Sequence, residues 1–264
     1  MKKFMKKPWP LFENDGNPTK EYMCHGVTVE DDLNSPYAYR TKLMADQVKT
    51  LFVDNFDNLK DFSLASQISQ AEAMKFFIEK MRRDINRNGG IIWWNLLDGW
   101  PQVSDAIVDY YFEKKLAYNY VKLSQQPILL FGYEEDNRLN FYCSSLIDKD
   151  EEIEYSVFDE YTGKPFLNGK INAKARTSFV FENLPIDKEH QFLVIKYTNS
   201  RGESFFNTFH TNILNIEYKN DCYVIVGSVL DDNLTVDHLE DYVTYPYIAY
   251  YNKYGKVWST IDKT

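Results

Sequence analysis

Cysteine is scarce in this chain: Cys24, Cys143 and Cys222 are three among 264 residues, odd in number and far apart. That spacing excludes a disulfide framework and a cysteine-based zinc motif, and leaves at least one thiol without a partner in the chain. Cys24 and His25 are adjacent, which is not metal-ligand spacing, and a structural role is expected for both. Positive charge is also short. A net charge of −9 and a pI near 5.1 argue against nucleic-acid partners and anionic membrane surfaces. The Lys2-Lys3 and Lys6-Lys7 pairs are too local to reverse that. No apolar run approaches the length of a membrane span, and the N-terminal residues lack the apolar core of a secretion signal. Internal repeats and low-complexity tracts are missing too.

What the chain does have is apolar material, 44% of its residues, enough for one large or two ordinary domains. Its most informative stretch is Gly90-Ile91-Ile92-Trp93-Trp94-Asn95-Leu96-Leu97-Asp98-Gly99-Trp100-Pro101. The nearly continuous apolar run predicts a strand buried on both faces, as in a parallel sheet. Asp98-Gly99 and Pro101 then end it. Ligands of parallel α/β folds bind where strands leave their carboxyl ends, so Trp94, Asn95, Asp98 and Trp100 become candidate contacts for a sugar. An indole suits the C–H face of a pyranose, and amide and carboxylate groups suit its hydroxyls. Because strand side chains alternate, only some of these can face one site. Trp93 and Trp100 therefore keep a second reading as core fillers, and Asp98 one as the residue that fixes its own turn.

Around this stretch, residues 1–60 read as turns and loops punctuated by Pro8, Pro10, Pro18 and Pro36. Glu13 and Asp15 fall in a turn where solvation is the expected role. From residue 61 the pattern changes. Leu64, Ile68, Ala71, Met74, Ile78 and Met81 recur at helical spacing, with Asp61 or Ser63 as cap and Glu79 to Arg83 as an i,i+4 ion pair. A second helix is expected over 109–123, with Tyr110 and Tyr111 packing inward. Beyond Pro127 short β-rich segments at 128–133, 139–144, 153–159, 178–182, 191–197 and 204–210 alternate with turn signals, which suggests an immunoglobulin-like sandwich of six or seven strands. A strand is expected over 222–229 and a short helix between Pro246 and Gly255.

The Trp-rich stretch, continued by Asp109-Tyr110-Tyr111 and by Lys115, Ala117 and Tyr118, resembles the end of the catalytic barrel in glycoside hydrolase family 2, particularly its β-mannosidase-like branch. The helix carrying Ser66-Gln67 and Gln70-Ala71-Glu72-Ala73 and the segment Lys7-Pro8-Trp9-Pro10 fit the same resemblance. It implies α/β plus all-β architecture: the C-terminal portion of a (β/α)8 TIM barrel over residues 1–125 and an immunoglobulin-like β-sandwich over 126–213, while residues 214–264 are expected to form a tail that packs back on them. It further implies a retaining β-glycosidase, which uses two carboxyl groups about 5–5.5 Å apart. In the family these are glutamates on the fourth and seventh strands, the acid/base preceded by Asn. No Asn-Glu dipeptide occurs here, and both glutamates are expected upstream of residue 1. Catalytic residues within the chain are thus expected to be none, with Trp94 as the aromatic floor under the sugar. Asn95 and Phe112 depart from the family pattern, which commonly has Gln and Gly there. No cofactor or metal is implied. The expected partner is a carbohydrate substrate, with no nucleic acid and no membrane, and the incomplete barrel should self-associate. The alternative is a non-catalytic carbohydrate-binding or structural module.

Overall fold

The computed structural model describes residues 1, 3–27, 32, 34–48, 58–159, 165–185, 192–210, 216–219 and 222–225. Among these residues four helices precede the strands: α1 (Lys20–Cys24), α2 (Tyr39–Val48), α3 (Leu59–Arg83) and α4 (Leu116–Ser124). The first two lie where the sequence reads as loop. Thr19 caps α1, its hydroxyl accepting from the Tyr22 amide at 3.2 Å. Helix α2 is carried by packing, with Thr41, Ala45 and Val48 buried along one side.

Helix α3 follows its apolar spacing. Ile68, Ala71 and Ile78 are buried, and Met74 packs against the same core. The helix begins at Leu59, so Asp61 and Ser63 lie within its first turns and are not caps. The expected Glu79–Arg83 pair does not form either. Glu79 instead pairs with Lys75 at 2.9 Å, while Arg83 pairs with Asp84 at 2.9 Å and Glu135 at 3.2 Å. Helix α4 starts seven residues later than expected, because Asp109 closes a turn by accepting from the amides of Tyr111 and Glu113 at 2.8 and 2.9 Å. Tyr110 and Tyr111 accordingly stand exposed and do not pack inward.

Among the described residues nine strands follow: β1 (Ile128–Glu135), β2 (Arg138–Ser145), β3 (Glu151–Asp159), β4 (Pro165–Ala173), β5 (Ser178–Pro185), β6 (Phe192–Asn199), β7 (Ser204–His210), β8 (Ile216–Lys219) and β9 (Cys222–Ile225). They form sheets ordered β1-β2-β5 and β4-β3-β6-β7, with β8 and β9 as a separate pair. All named pairings are antiparallel. Each expected sandwich segment is a strand, and β4 is the one the sequence reading lacked. Alternation explains the arrangement: on β3, Ile153, Tyr155 and Val157 are buried while Glu152, Glu154 and Ser156 face out. Asp136 and Asn137, both at positive φ (53° and 57°), make the two-residue turn between β1 and β2. Gly132 is required where β1 passes β7, since a Cβ there would meet Phe209 Cγ at 2.7 Å. Residues 226–229 and the expected helix between Pro246 and Gly255 lie outside the described residues.

Two cores result. One lies between the sheets, with Leu130, Phe141, Cys143, Leu193 and Ile195 at its centre. The other gathers the helices, and Val194 and Phe206 from the outer side of β6 and β7 join it. Polar groups bridge the two parts as well. Arg82, buried near the end of α3, donates to the carbonyls of Ser124 (3.3 Å), Gln126, Pro127 (3.3 Å) and Ser144 (2.8 Å). Asn207 of β7 donates to Glu79 and to the Leu130 carbonyl at 2.6 and 3.0 Å, and the Tyr197 hydroxyl donates toward Gln126 Oε1 at 2.7 Å and the Ile128 carbonyl at 3.0 Å.

Candidate functional site

Along residues 91–96 the side chains alternate between half-buried and exposed. Ile91 and Trp93 pack on the helical core, whereas Ile92, Trp94 and Leu96 are 97%, 75% and 57% exposed. The expectation of a strand buried on both faces is corrected here, because among the described residues no strand lies beside 91–94 and the outer side chains have no cover. Trp93 takes the core-filling role. Further along, the Ile107 and Val108 amides donate to the carbonyls of Asn95 (3.1 Å) and Leu96 (2.9 Å), and the Asp98 amide to Val108 (3.1 Å). The Trp94–Asn95 peptide is cis, as is Trp9–Pro10.

Trp94 stands on the lining of a groove of about 970 Å³ that runs along α3. Phe76 and Phe77 of α3, Tyr110 and Tyr111 supply further aromatic surface, and Ser66, Gln70 and Asn119 supply hydroxyl and amide groups. The other three candidate residues lie off this lining. Asn95 is half-buried, and its Oδ1 is enclosed without a hydrogen-bond partner among the described residues. Trp100 stacks on His25 with centroids 5.5 Å apart at 23°.

Asp98 is corrected from a rim carboxylate to an interior one. It is 2% exposed, its Oδ1 accepts from Gln102 Nε2 at 3.1 Å and from the Ser104 hydroxyl, and Oδ2 faces Lys115 Nζ at 3.4 Å. Burial lowers the Lys115 ammonium below its ordinary value, against the opposing pull of Asp98. These partners are side chains, so Asp98 ties several loop stretches together beyond its own turn.

Sequence reasoning missed the groups that seat these loops. His25 Nδ1 pairs with the Pro101 carbonyl at 3.0 Å, and the His25 carbonyl accepts from the Val103 amide at 2.7 Å. From α3, Gln70 donates to the Asp105 carbonyl at 2.6 Å, and Gln67 accepts from the Leu116 amide at 3.1 Å. Arg40 of α2 pairs with Asp105 at 3.2 Å. The adjacent Cys24-His25 pair is the one local signal, and it indicates only that a histidine is present. Glu13 and Asp15 are exposed as expected, and the Asn17 amides hold the Asp15 carboxyl below its ordinary range. Among the described residues no group of three His, Cys, Asp or Glu side chains could hold a metal, and no helix is long and apolar enough to cross a membrane.

Phe112 carries a backbone φ of 64°, in the region that favours glycine, and its ring is 76% exposed. This gives a physical reason for a glycine at the corresponding place of the resembling family.

No protein-family model matches the chain. Part of it is 35% identical over 88 residues to β-mannosidase B of Aspergillus niger, covering 31% of this chain and 10% of that enzyme. The β-mannosidase B of Emericella nidulans is 33% identical over 90 residues, covering 32% and 11%. Among solved structures, the β-D-mannosidase of Dictyoglomus thermophilum superposes with a TM-score of 0.61 at 21% identity, over 79% of this chain and 25% of that one. The chain is glycoside hydrolase family 2-like. The exo-chitosanase of Amycolatopsis orientalis shares the family 2-like fold at a TM-score of 0.54 and 17% identity, over 67% of this chain and 22% of that one. The chain thus matches about a tenth of the length of its curated family 2 relatives.

Proposed function

We propose that this chain supplies the last strand and helices of a (β/α)8 barrel, and the sandwich that follows, in a retaining β-glycosidase of β-mannosidase type acting on O-glycosyl bonds at glycan ends. In this reading residues 1–125 belong to the barrel, 126–213 form the accessory sandwich, and 214–264 are a tail. Both catalytic glutamates come from protein outside these residues. One protonates the glycosidic oxygen while the other attacks the anomeric carbon. Trp94 is the chain's contribution to substrate binding, a flat surface that orients the sugar without transferring a proton.

The observation that carries this reading is Trp94 itself. An indole 75% exposed is costly to leave in water unless something covers it. It lines a groove with amide and hydroxyl groups beside it, which is the composition that suits a pyranose. The uncovered row of Ile92, Trp94 and Leu96 also supports self-association of this chain when the remaining barrel is not present. A second reading, a structural module, is favoured by the buried contacts of Arg82, which lock α3 onto β2 and resemble a brace more than a ligand site.

The deciding experiment measures hydrolysis of 4-nitrophenyl β-mannoside, β-glucoside, β-galactoside and β-glucuronide by the chain alone and by the chain joined to an upstream barrel. Activity confined to the joined protein, and abolished there by Trp94→Ala, is the expected result. Turnover by the chain alone would place the catalytic carboxylates within it and overturn the assignment.

A further inference from the structure

A side chain as exposed as Trp94 is not held in place by its own burial, so the segment that presents it must be held from beneath. The hydrogen bonds below this segment converge on the buried Asp98 and the half-buried Lys115. Asp98 gathers Gln102 and Ser104 through Oδ1. Lys115, opposite its Oδ2 at 3.4 Å, donates to the Ser104 carbonyl at 3.2 Å. The backbone repeats the pattern: Asp98 donates to Val108, Val108 to Leu96, and Lys115 to Ile107 at 2.9 Å. Two loop stretches, 94–100 and 102–108, and the start of α4 are therefore tied at one ion pair.

A buried ion pair is a weak source of stability, since desolvation offsets most of the attraction, but it is a strong constraint on which arrangement forms. Any arrangement that separates these charges leaves the Asp98 carboxylate buried without its counter-charge. We infer that Asp98 and Lys115 are positioning residues: together they fix the segment carrying Trp94 and Trp100, and Asp98 does not touch the sugar. The inference rests on the reading of Trp94 as the sugar platform, and it moves Asp98 from ligand to support.

The test labels the full chain with 5-fluorotryptophan and reads its ¹⁹F spectrum, the five tryptophans being assigned by single Trp→Phe changes. The variants are D98N, which keeps the shape of the side chain, and D98N/K115M, which removes both charges and so leaves neither stranded. In both, the Trp94 and Trp100 signals should shift and broaden while the Trp9 signal stays in place. Unmoved Trp94 and Trp100 signals in both variants overturn the proposal, as does an equal disturbance of Trp9, which would mean general loosening. Titration with methyl β-D-mannopyranoside, run on the chain joined to an upstream barrel, separates this inference from the reading beneath it. If the wild-type Trp94 signal ignores the mannoside while D98N still displaces it, the positioning role stands and the sugar-platform reading fails.

Discussion

Arg82 and Ser144 hold each other in both directions: the guanidinium donates to the Ser144 carbonyl at 2.8 Å, and the Ser144 hydroxyl donates to the Arg82 carbonyl at 3.2 Å. Each is the last residue but one of its element, the long helix α3 and the strand β2, so this reciprocal contact sets the docking of the two parts.

Removing the guanidinium leaves the carbonyls of Ser124, Gln126, Pro127 and Ser144 inside the protein without their donor. Each unsatisfied buried group costs about 1–3 kcal/mol, so Arg82→Met should lower stability by about 3 kcal/mol or more. Lysine will not substitute, because a point charge cannot fork to several carbonyls. Urea unfolding of the wild type, Arg82→Met and Arg82→Lys checks this. A loss under about 1 kcal/mol in both variants would show that water takes over these carbonyls.

Glu79 predicts a pH dependence with a definite sign. Burial raises its pKa above the ordinary 4.5, while the Lys75 ammonium and the Asn207 amide oppose the shift without cancelling it. The folded state then holds the Glu79 proton more tightly than the unfolded chain. Its contribution to stability falls as pH rises from 4.5 toward the raised folded value. Glu79→Gln keeps an acceptor for Asn207 and removes the titration. The difference in urea midpoint between about pH 5 and about pH 7 should be smaller in the variant than in the wild type. An identical difference in both proteins would assign the dependence to other groups.

Phe112 should be improvable. Its φ of 64° costs a bulky residue about 1–2 kcal/mol, and its exposed ring contributes little packing. Glycine removes that strain and gives back about 0.5–1 kcal/mol in chain entropy. Phe112→Gly should therefore stabilise by up to about 1 kcal/mol, seen as a small rise in Tm. A fall in Tm would mean that the ring makes contacts of real value.

The sandwich was legible because its signal is local. Ile153, Tyr155 and Val157 alternate with polar neighbours, and Asp136-Asn137 sits where a tight turn needs positive φ. Strand β4 escaped notice because its half-exposed residues, with Asn168 and Gly169 in the middle, alternate only weakly. Helix α3 was legible from the spacing of Ile68, Ala71 and Ile78, yet its ion pairs were not. Glu79 has two cations within reach along the helix, and burial beside Asn207 decides for Lys75. The candidate site was half legible. Trp94 announced itself by residue type, whereas the interior place of Asp98 depends on Lys115, seventeen positions later in the chain. The early helices were missed for a similar reason: α2 has little amphipathic pattern of its own and exists because a neighbour covers it.

The amides of Ile91, Ile92, Trp93 and Trp94 find no carbonyl or side-chain acceptor among the described residues. Protons on such groups trade with solvent at rates near those of an unstructured loop, whereas those of a paired strand are slowed by orders of magnitude. A stretch whose composition resembles the inside of a protein thus keeps the isotopic habits of its outside. A strand laid along one edge would slow alternate protons, two of those four, and leave the other two fast, which makes this short run a built-in clock for assembly.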